Sequence, residues 1–178
     1  KGPCGFDTIK DYNETTKKFD AVRRCPDRGF ECNLMTKEKI KHYVSKNAMN
    51  IEGLGKKVVE NFWVLNLVKL PTDIYKLNFN KISQLDGWGK LSAKNLENSI
   101  NETKKISLDR FIFALGIRHI GQENAKILAK YFKSINNFKK LAESSDQIFN
   151  SLLDLDGMGE TQISSLKNFF SNKINKKI

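Results

Sequence analysis

The sequence predicts a mainly α-helical fold built from repeated pairs of helices. Three observations support this prediction. Apolar residues recur at helical spacing from Thr36 onward, no comparable run alternates with a period of two, and only 3 prolines occur among 178 residues. A five-residue pattern of apolar, acidic, glycine, apolar and glycine residues also recurs. Such a repeat indicates that one supersecondary unit is stacked several times.

The repeated pattern is present as IEGLG at 51–55, LDGWG at 85–89 and LDGMG at 155–159. The last glycines of the first two copies are 34 residues apart, whereas those of the next two are 70 apart, about twice that distance. We therefore expect a fourth copy between them, and LGIRHIG at 115–121 fills the gap with His119 in place of the first glycine. The predicted helix-hairpin-helix units are about 35–68, 69–104, 105–134 and 135–178.

The last glycine of each copy is expected to open a helix, because apolar residues follow it at helical spacing. The apolar residue between the two glycine positions is expected to turn inward and anchor the hairpin. The four helix-opening glycines are Gly55, Gly89, Gly121 and Gly159, and the four anchors are Leu54, Trp88, Ile120 and Met158. The helices expected before the hairpins are 36–48, about 79–85, 107–115 and 145–153.

The chain is strongly basic, with 31 Lys and Arg against 20 Asp and Glu and a formal charge of +11. A protein of this charge is expected to meet a polyanion, and nucleic acid is the first expectation. An acidic membrane surface and a merely solvated surface are the alternatives. No stretch approaches the roughly 20 apolar residues of a membrane span, and no N-terminal apolar segment resembles a signal peptide.

A glycine turn that opens a helix is suited to phosphate, because the first N–H groups of a helix lack internal partners and its dipole makes that end positive. Glycine permits a positive φ in the turn and lets an anion approach the backbone. The alternative is that these glycines only cap packed helices, and the last hairpin is the weakest candidate because Asp154, Asp156 and Glu160 surround it. The candidate DNA-binding residues are Gly53, Gly55, Lys56, Lys57, Gly87, Gly89, Lys90, Gly116, Arg118, His119, Gly121, Gly157 and Gly159.

Residues 1–34 contain all three cysteines and little to build an apolar core, which predicts a small zinc-finger segment. Cys25 and Cys32 could form one ligand pair. Cys4 looks like the second half of a C-P-x-C-G knuckle whose first cysteine would fall at Lys1. We expect structural zinc at an incomplete ligand set, with unpaired structural thiols as the alternative. His42 is expected on a helix surface rather than as a fourth ligand.

Other chemistry is sparse in the sequence. The odd number of cysteines argues against a disulfide framework and favours a reducing, intracellular setting. The chain has 2 histidines, no readable Ser-His-Asp arrangement and no phosphate-binding P-loop. QLDG at 84–87 lacks the lysine of a nucleotidyl-transfer motif. No catalytic residue is therefore predicted.

Several strings resemble the bacterial NAD-dependent DNA ligase family. They are NAMNIEGLGKKVVE at 47–60, VKLPTDIYKL at 68–77 and FALGIRHIG at 113–121, and FDAVRRC at 19–25 is similar to the zinc segment of that family. The resemblance covers essentially the whole chain and implies the region that follows the OB-fold. Lys1 at the position of a zinc cysteine and the six-residue gap between Cys25 and Cys32 depart from the family pattern.

The resemblance implies part of an enzyme that seals 5′-phosphate/3′-hydroxyl nicks in duplex DNA during replication and repair, with NAD as the adenylate donor. The adenylation domain and the OB-fold are absent from this sequence, so we expect the chain alone to be non-catalytic and to bind neither NAD nor Mg²⁺. The implied partners are nicked double-stranded DNA and the remaining ligase domains, with a monomer in the bacterial cytoplasm.

Two functions of other classes stay open at this point. One is a non-catalytic helix-hairpin-helix adaptor that binds DNA junctions or damage, and a K-x-D-G lysine upstream would separate the ligase from it. The other is a helix-hairpin-helix glycosylase, which needs a catalytic Asp or Lys in a helical domain after the last hairpin. Only 19 residues follow Gly159, which disfavours the glycosylase.

Overall fold

The computed structural model of the protein describes residues 1–2, 5–10, 12–13, 16–25, 30, 32–143 and 146–178, and at 13 and 146 the backbone only. This part of the chain is mainly helical, as predicted. Its α-helices are α1 Asn33–Tyr43, α2 Lys56–Val64, α3 Phe79–Ile82, α4 Lys90–Glu102, α5 Leu108–Ala114, α6 Gln122–Phe132, α7 Ile135–Lys139, α8 Asp146–Leu152 and α9 Glu160–Ser171. Short 3-10 helices cover Pro71–Lys76, Thr103–Lys105, Lys140–Ala142 and Asn175–Lys177.

The N-terminal segment contains a two-stranded antiparallel ribbon, β1 (Tyr12–Asn13) and β2 (Lys18–Phe19), with Tyr12 opposite Phe19. Ile9 and Arg24 form one further bridge. Large apolar side chains of this segment stay on the surface, with Phe19 65% exposed and Val22 63% exposed. The ribbon therefore contributes little apolar burial of its own.

The predicted first helix, 36–48, was wrong at both ends. The observed helix begins at Asn33, with Cys32 as its N-cap residue, and ends at Tyr43. Thr36 is buried inside the first turn, where its N–H donates to the Cys32 carbonyl at 2.8 Å. The helix consequently spans residue 34, where the sequence placed the end of the zinc-finger segment.

The chain leaves the helical path after Tyr43 because tertiary packing favours tight turns there. Ser45 N–H donates to the His42 carbonyl at 3.0 Å, and Asn50 adopts a φ of +53°. These turns bury Ala48 and Met49, which are 0% and 3% exposed. A continued helix would not place both side chains in the core.

The other three helices that precede hairpins were predicted slightly too long. Each observed helix ends in a turn with an i to i+3 hydrogen bond that leads into the hairpin, and this turn is not helical. These bonds run from Leu85 to Ile82 (3.0 Å), from Gly116 to Phe113 (3.1 Å) and from Leu155 to Leu152 (3.3 Å).

The apolar side chains form two core clusters that meet at α5. The first cluster runs from Ile40 to Ala114 and the second from Ile112 to Phe170. Phe111 and Phe113 of α5 pack against both clusters. Each cluster surrounds two of the glycine hairpins. The division into a zinc-finger segment and four units, with the limits predicted from sequence, stays a prediction.

Two polar side chains connect the first half to α5. Arg110 donates through Nε to the Ala48 carbonyl at 2.9 Å and through Nη2 to the Lys46 carbonyl. His42 Nε2 lies 2.8 Å from the Phe113 carbonyl, and its ring meets the Phe113 ring edge-on with centroids 4.7 Å apart. His42 is therefore partly buried at this seam, which corrects its predicted place on a helix surface.

Candidate nucleic-acid interface

The four hairpins share one backbone conformation. The first glycine position has a positive φ in every copy: Gly53 +85°, Gly87 +74°, His119 +60° and Gly157 +85°. The apolar residue that follows donates its N–H to the carbonyl three residues earlier. These bonds are Leu54 to Ile51 (3.2 Å), Trp88 to Leu85 (3.0 Å), Ile120 to Ile117 (3.1 Å) and Met158 to Leu155 (3.0 Å). The fourth copy inferred from sequence spacing therefore has the same turn as the other three.

The apolar anchors turn inward, as predicted. Leu54 is 1% exposed, and Ile120 and Met158 are each 5% exposed. Trp88 is only partly buried, with its ring 5.5 Å from that of Phe62. Burial of these side chains holds each turn to its own core.

The second glycine of each hairpin is the N-cap residue of the following helix, which confirms the predicted helix starts. Gly55, Gly89, Gly121 and Gly159 precede α2, α4, α6 and α9 respectively. Because glycine has no side-chain oxygen, these four helices begin without an N-cap side-chain hydrogen bond to their first N–H groups. Those N–H groups can accept an external anion.

Steric demands inside the protein do not explain three of these glycines. Gly55, Gly89 and Gly121 have φ values of −68°, −150° and −82°, which any residue adopts. A Cβ added at any of the three would meet no described atom within 4 Å. Ser, Thr, Asp or Asn would ordinarily cap a helix better than glycine. The open space beside these turns is therefore available to an approaching ligand.

The first hairpin differs from the others at its glycine N–H. Gly89, Gly121 and Gly159 donate this N–H to a side chain three residues later, namely Ser92 (2.9 Å), Asn124 (3.4 Å) and Gln162 (3.1 Å). The corresponding residue of α2 is Val58, whose side chain has no acceptor. The helix start at Gly55 therefore depends more on an acceptor from outside.

The hairpins of each half pack against the helix of their partner hairpin. In the first half, Glu52 N–H donates to Ser99 Oγ of α4 at 2.7 Å. In the second half, Asn124 Nδ2 of α6 donates to the Gly157 carbonyl at 2.8 Å, and His119 Nδ1 lies 3.0 Å from Ser165 Oγ of α9. This pairing brings two helix N-termini into each half of the protein.

The basic candidates have different surroundings. Lys56, Lys57 and Lys90 are exposed beside the first two turns. Arg118 is partly buried and lines a cavity between the third hairpin, α1 and the N-terminal segment. Gly116 lines the same cavity, with His42 Cδ2 3.4 Å from where its Cβ would be. The structure thus separates Arg118 and Gly116 from the exposed lysines.

The fourth hairpin is the least open of the four. Asp154, Asp156 and Glu160 are exposed around it. A Cβ at Gly159 would lie 3.3 Å from Gln162 Oε1, and one at Gly157 would lie 2.9 Å from Ile127 Cδ1. This hairpin is crowded and flanked by acidic side chains, so it is the least suited to an anion.

A polar groove between the first two hairpins was not identified from the sequence. It is bounded by Gly53 and Gly87, and Trp88 forms part of its lining. Amide and hydroxyl side chains supply most of its polar lining: Asn50, Ser92, Asn95, Asn98 and Ser99. The spacing of these residues on α4 was the available signal, but their location beside the first hairpin depends on tertiary packing.

The predicted zinc ligands are only partly described. Cys4 lies outside the described residues, Cys25 is partly buried and Cys32 is buried. Among the described residues no group of three His, Cys, Asp or Glu is placed to hold a metal ion. His42 Nε2 is 2.8 Å from the Phe113 carbonyl, which argues against His42 as the fourth ligand. The zinc site stays a prediction.

In the described part of the chain, no helix is both long and apolar enough to cross a bilayer. Residues 110–178 match the helix-hairpin-helix motif family. Over 98% of its length the chain is 61% identical to a protein of Pelagibacter ubique named DNA ligase. DNA ligases of Parvibaculum lavamentivorans and Rickettsia bellii are 37% and 44% identical over 98% and 88% of the chain. The chain covers 26%, 26% and 24% of these three relatives.

Proposed function

We propose that this chain, a homologue of one segment of DNA ligases, is the region of an NAD-dependent DNA ligase that holds duplex DNA without sequence preference. The observation that carries the proposal is the set of open glycines, Gly55, Gly89 and Gly121, at helix N-termini. Neither their backbone angles nor their packing requires glycine, whereas close approach of a phosphate does.

The chemistry of the turns suits the DNA backbone. Each hairpin offers main-chain N–H groups and the positive end of a helix dipole to a phosphate oxygen. Main-chain donors do not distinguish bases, so binding of this kind fixes position and carries little sequence information. The paired hairpins of one half are suited to gripping the two strands across a groove.

The charge of the chain supports the same proposal. Lys56, Lys57 and Lys90 stand exposed beside the two hairpins of the first half, and the chain carries a formal charge of +11. Neutralising phosphates releases counterions, so affinity should fall steeply as salt rises. We assign the first three hairpins to DNA contact and the acidic fourth hairpin mainly to packing.

The remaining activity belongs to the whole enzyme. The chain spans about a quarter of its ligase relatives, so nick sealing, NAD and Mg²⁺ are proposed for the longer protein and not for this segment alone. Zinc is proposed as a structural ion of the N-terminal segment, held by Cys25, Cys32 and Cys4. These three thiols are one short of a tetrahedral four-cysteine site.

The test is fluorescence-anisotropy binding of the 178-residue chain to nicked duplex, intact duplex and single-stranded DNA of one sequence at several salt concentrations. We expect duplex to be preferred over single strands, with affinity falling steeply as salt rises. A further preference for the nick would place nick recognition within this segment. No binding to any duplex at low salt would contradict the proposal.

A further inference from the structure

One exposed leucine lies beside the second hairpin and has no counterpart in the other three. Leu91 is the second residue of α4, directly after Lys90, and is 75% exposed. The equivalent residues are Lys57 in α2, Glu123 in α6 and Thr161 in α9. An apolar side chain at this surface position gains nothing from the core of its own chain, so its contact must come from elsewhere.

The location of Leu91 on the helix directs its side chain toward the hairpin. Cα–Cβ bonds in an α-helix tilt toward the N-terminus, and a side chain covers the surface over the preceding turn. Leu91 therefore covers ground next to the helix start at Gly89, where a phosphate is proposed to bind. A ligand seated on this helix end would meet the leucine.

We propose that Leu91 makes an apolar contact with the deoxyribose and base-edge surface of a DNA groove beside the phosphate held at Gly89. This inference rests on the proposed function. The exposed Lys90, Lys56 and Lys57 surround Leu91 with positive charge, which fits a polyanion and disfavours an apolar protein partner. Groove-binding proteins commonly place apolar side chains against sugars and base steps.

The two kinds of contact separate by their salt dependence. Losing a lysine that neutralises one phosphate lowers the slope of log K against log[salt] by about one unit. Losing an apolar contact weakens binding at every salt concentration without changing that slope. Lys57 and Leu91 occupy equivalent positions in α2 and α4, so Lys57→Ala and Leu91→Ala form a matched pair.

The experiment measures binding of the full 178-residue chain to nicked duplex across a salt series. Leu91→Ala is expected to weaken binding by about three- to tenfold with the slope unchanged, since it removes most of one leucine contact. Leu91→Met should bind like the unsubstituted chain, because it keeps an apolar side chain. Val64→Ala is the control: Val64 is also 75% exposed but lies at the last residue of α2.

Thermal unfolding of each variant shows whether the fold is kept, and we expect it to be kept because both substituted side chains are exposed. Unchanged affinity in Leu91→Ala would overturn the inference, as would an equal loss in Val64→Ala. A loss that comes with a flatter salt slope would mean that Leu91 acts only through a phosphate contact, and this also overturns it. If the unsubstituted chain binds no duplex at low salt, the proposed function fails and the Leu91 contact fails with it.

Discussion

His119 Nδ1 lies 3.0 Å from Ser165 Oγ, and this contact connects the third hairpin, which lacks a first glycine, to the helix that follows the fourth. His119 adopts a φ of +60°, a conformation that costs most L-residues roughly 1–2 kcal/mol. Ser165 Oγ donates to the Thr161 carbonyl at 2.9 Å, which leaves its lone pairs to accept from an Nδ1–H. A hydrogen bond of this kind contributes about 1 kcal/mol, so it offsets much of the cost of the turn.

The two glycines of the first hairpin should respond differently to substitution. Gly53→Ala should lower the free energy of unfolding by roughly 1–2 kcal/mol, because alanine resists the φ of +85°. Gly55→Ser should keep or slightly raise stability, since serine is a good N-cap residue and open space surrounds Gly55. Its side chain should nevertheless obstruct a phosphate and weaken DNA binding.

Chemical denaturation and anisotropy on both glycine variants check this pair. The two substitutions are one residue apart and act as controls for each other. If Gly55→Ser binds duplex as tightly as the unsubstituted chain, Gly55 is only a helix cap and the phosphate site is not there.

Arg118→Ala is expected to weaken duplex binding and to flatten the salt slope by roughly one unit, because Arg118 belongs to the third hairpin and is assigned to a phosphate. Arg23→Ala is a charge-matched control in the N-terminal segment, where Arg23 Nη1 donates to the Thr8 carbonyl at 3.2 Å. Binding isotherms over a salt series decide the matter. An unchanged slope in Arg118→Ala would show that Arg118 makes its contacts within the protein.

Arg110→Ala should loosen the seam between the two core clusters. Arg110 donates to the carbonyls of Ala48 and Lys46 from the other half, and charge-assisted hydrogen bonds contribute about 2 kcal/mol. Arg110→Lys should recover only part of this, because one ammonium cannot reproduce the planar fork of donors. Denaturant unfolding measures both variants, and a loss below roughly 0.5 kcal/mol for alanine would refute a stabilising role.

Tyr43 should make the folded protein sensitive to alkaline pH. Burial raises the pKa of the Tyr43 phenol, and the Tyr75 hydroxyl at 3.0 Å adds to the shift. The folded chain therefore holds this proton more tightly than the unfolded chain. The resulting stability is fully present below the unfolded pKa of about 10 and is lost as pH rises above it.

Tyr43→Phe should cost about 1 kcal/mol at neutral pH through the lost hydrogen bond, and it should make the decline in stability above about pH 10 less steep. Unfolding free energies across the alkaline range measure the slope. Tyr131→Phe is the control, because Tyr131 is 41% exposed. An equally steep decline in Tyr43→Phe and in the unsubstituted chain would rule out Tyr43 as the source.

Chelation should disorder residues 1–34 while the helices persist, because this segment exposes Phe19 and Val22 and needs a staple. Metal analysis, far-UV circular dichroism and limited proteolysis with and without chelator test this. Cys25→Ser should reproduce the effect of chelation without any chelator. A metal-free preparation that still protects the segment from protease would disprove the zinc finger.

The sequence by itself was sufficient for the hairpins. Their conformation is local: a positive φ, one i to i+3 hydrogen bond and a helix start are all set within five residues. Glycine pairs with an apolar residue between them therefore identified three copies, and regular spacing located the fourth despite His119. The inward anchors followed from the same pattern, because one side chain per turn must face the core.

Only the tertiary structure decided what these local units contact. The end of α1 at Tyr43 and the burial of Ala48 and Met49 depend on packing that local helix signals do not contain. The carbonyl contacts of His42 and Arg110 join residues more than 60 positions apart. Short-range backbone preferences can be predicted from neighbouring residues, whereas these contacts form only when two separately nucleated cores meet along α5.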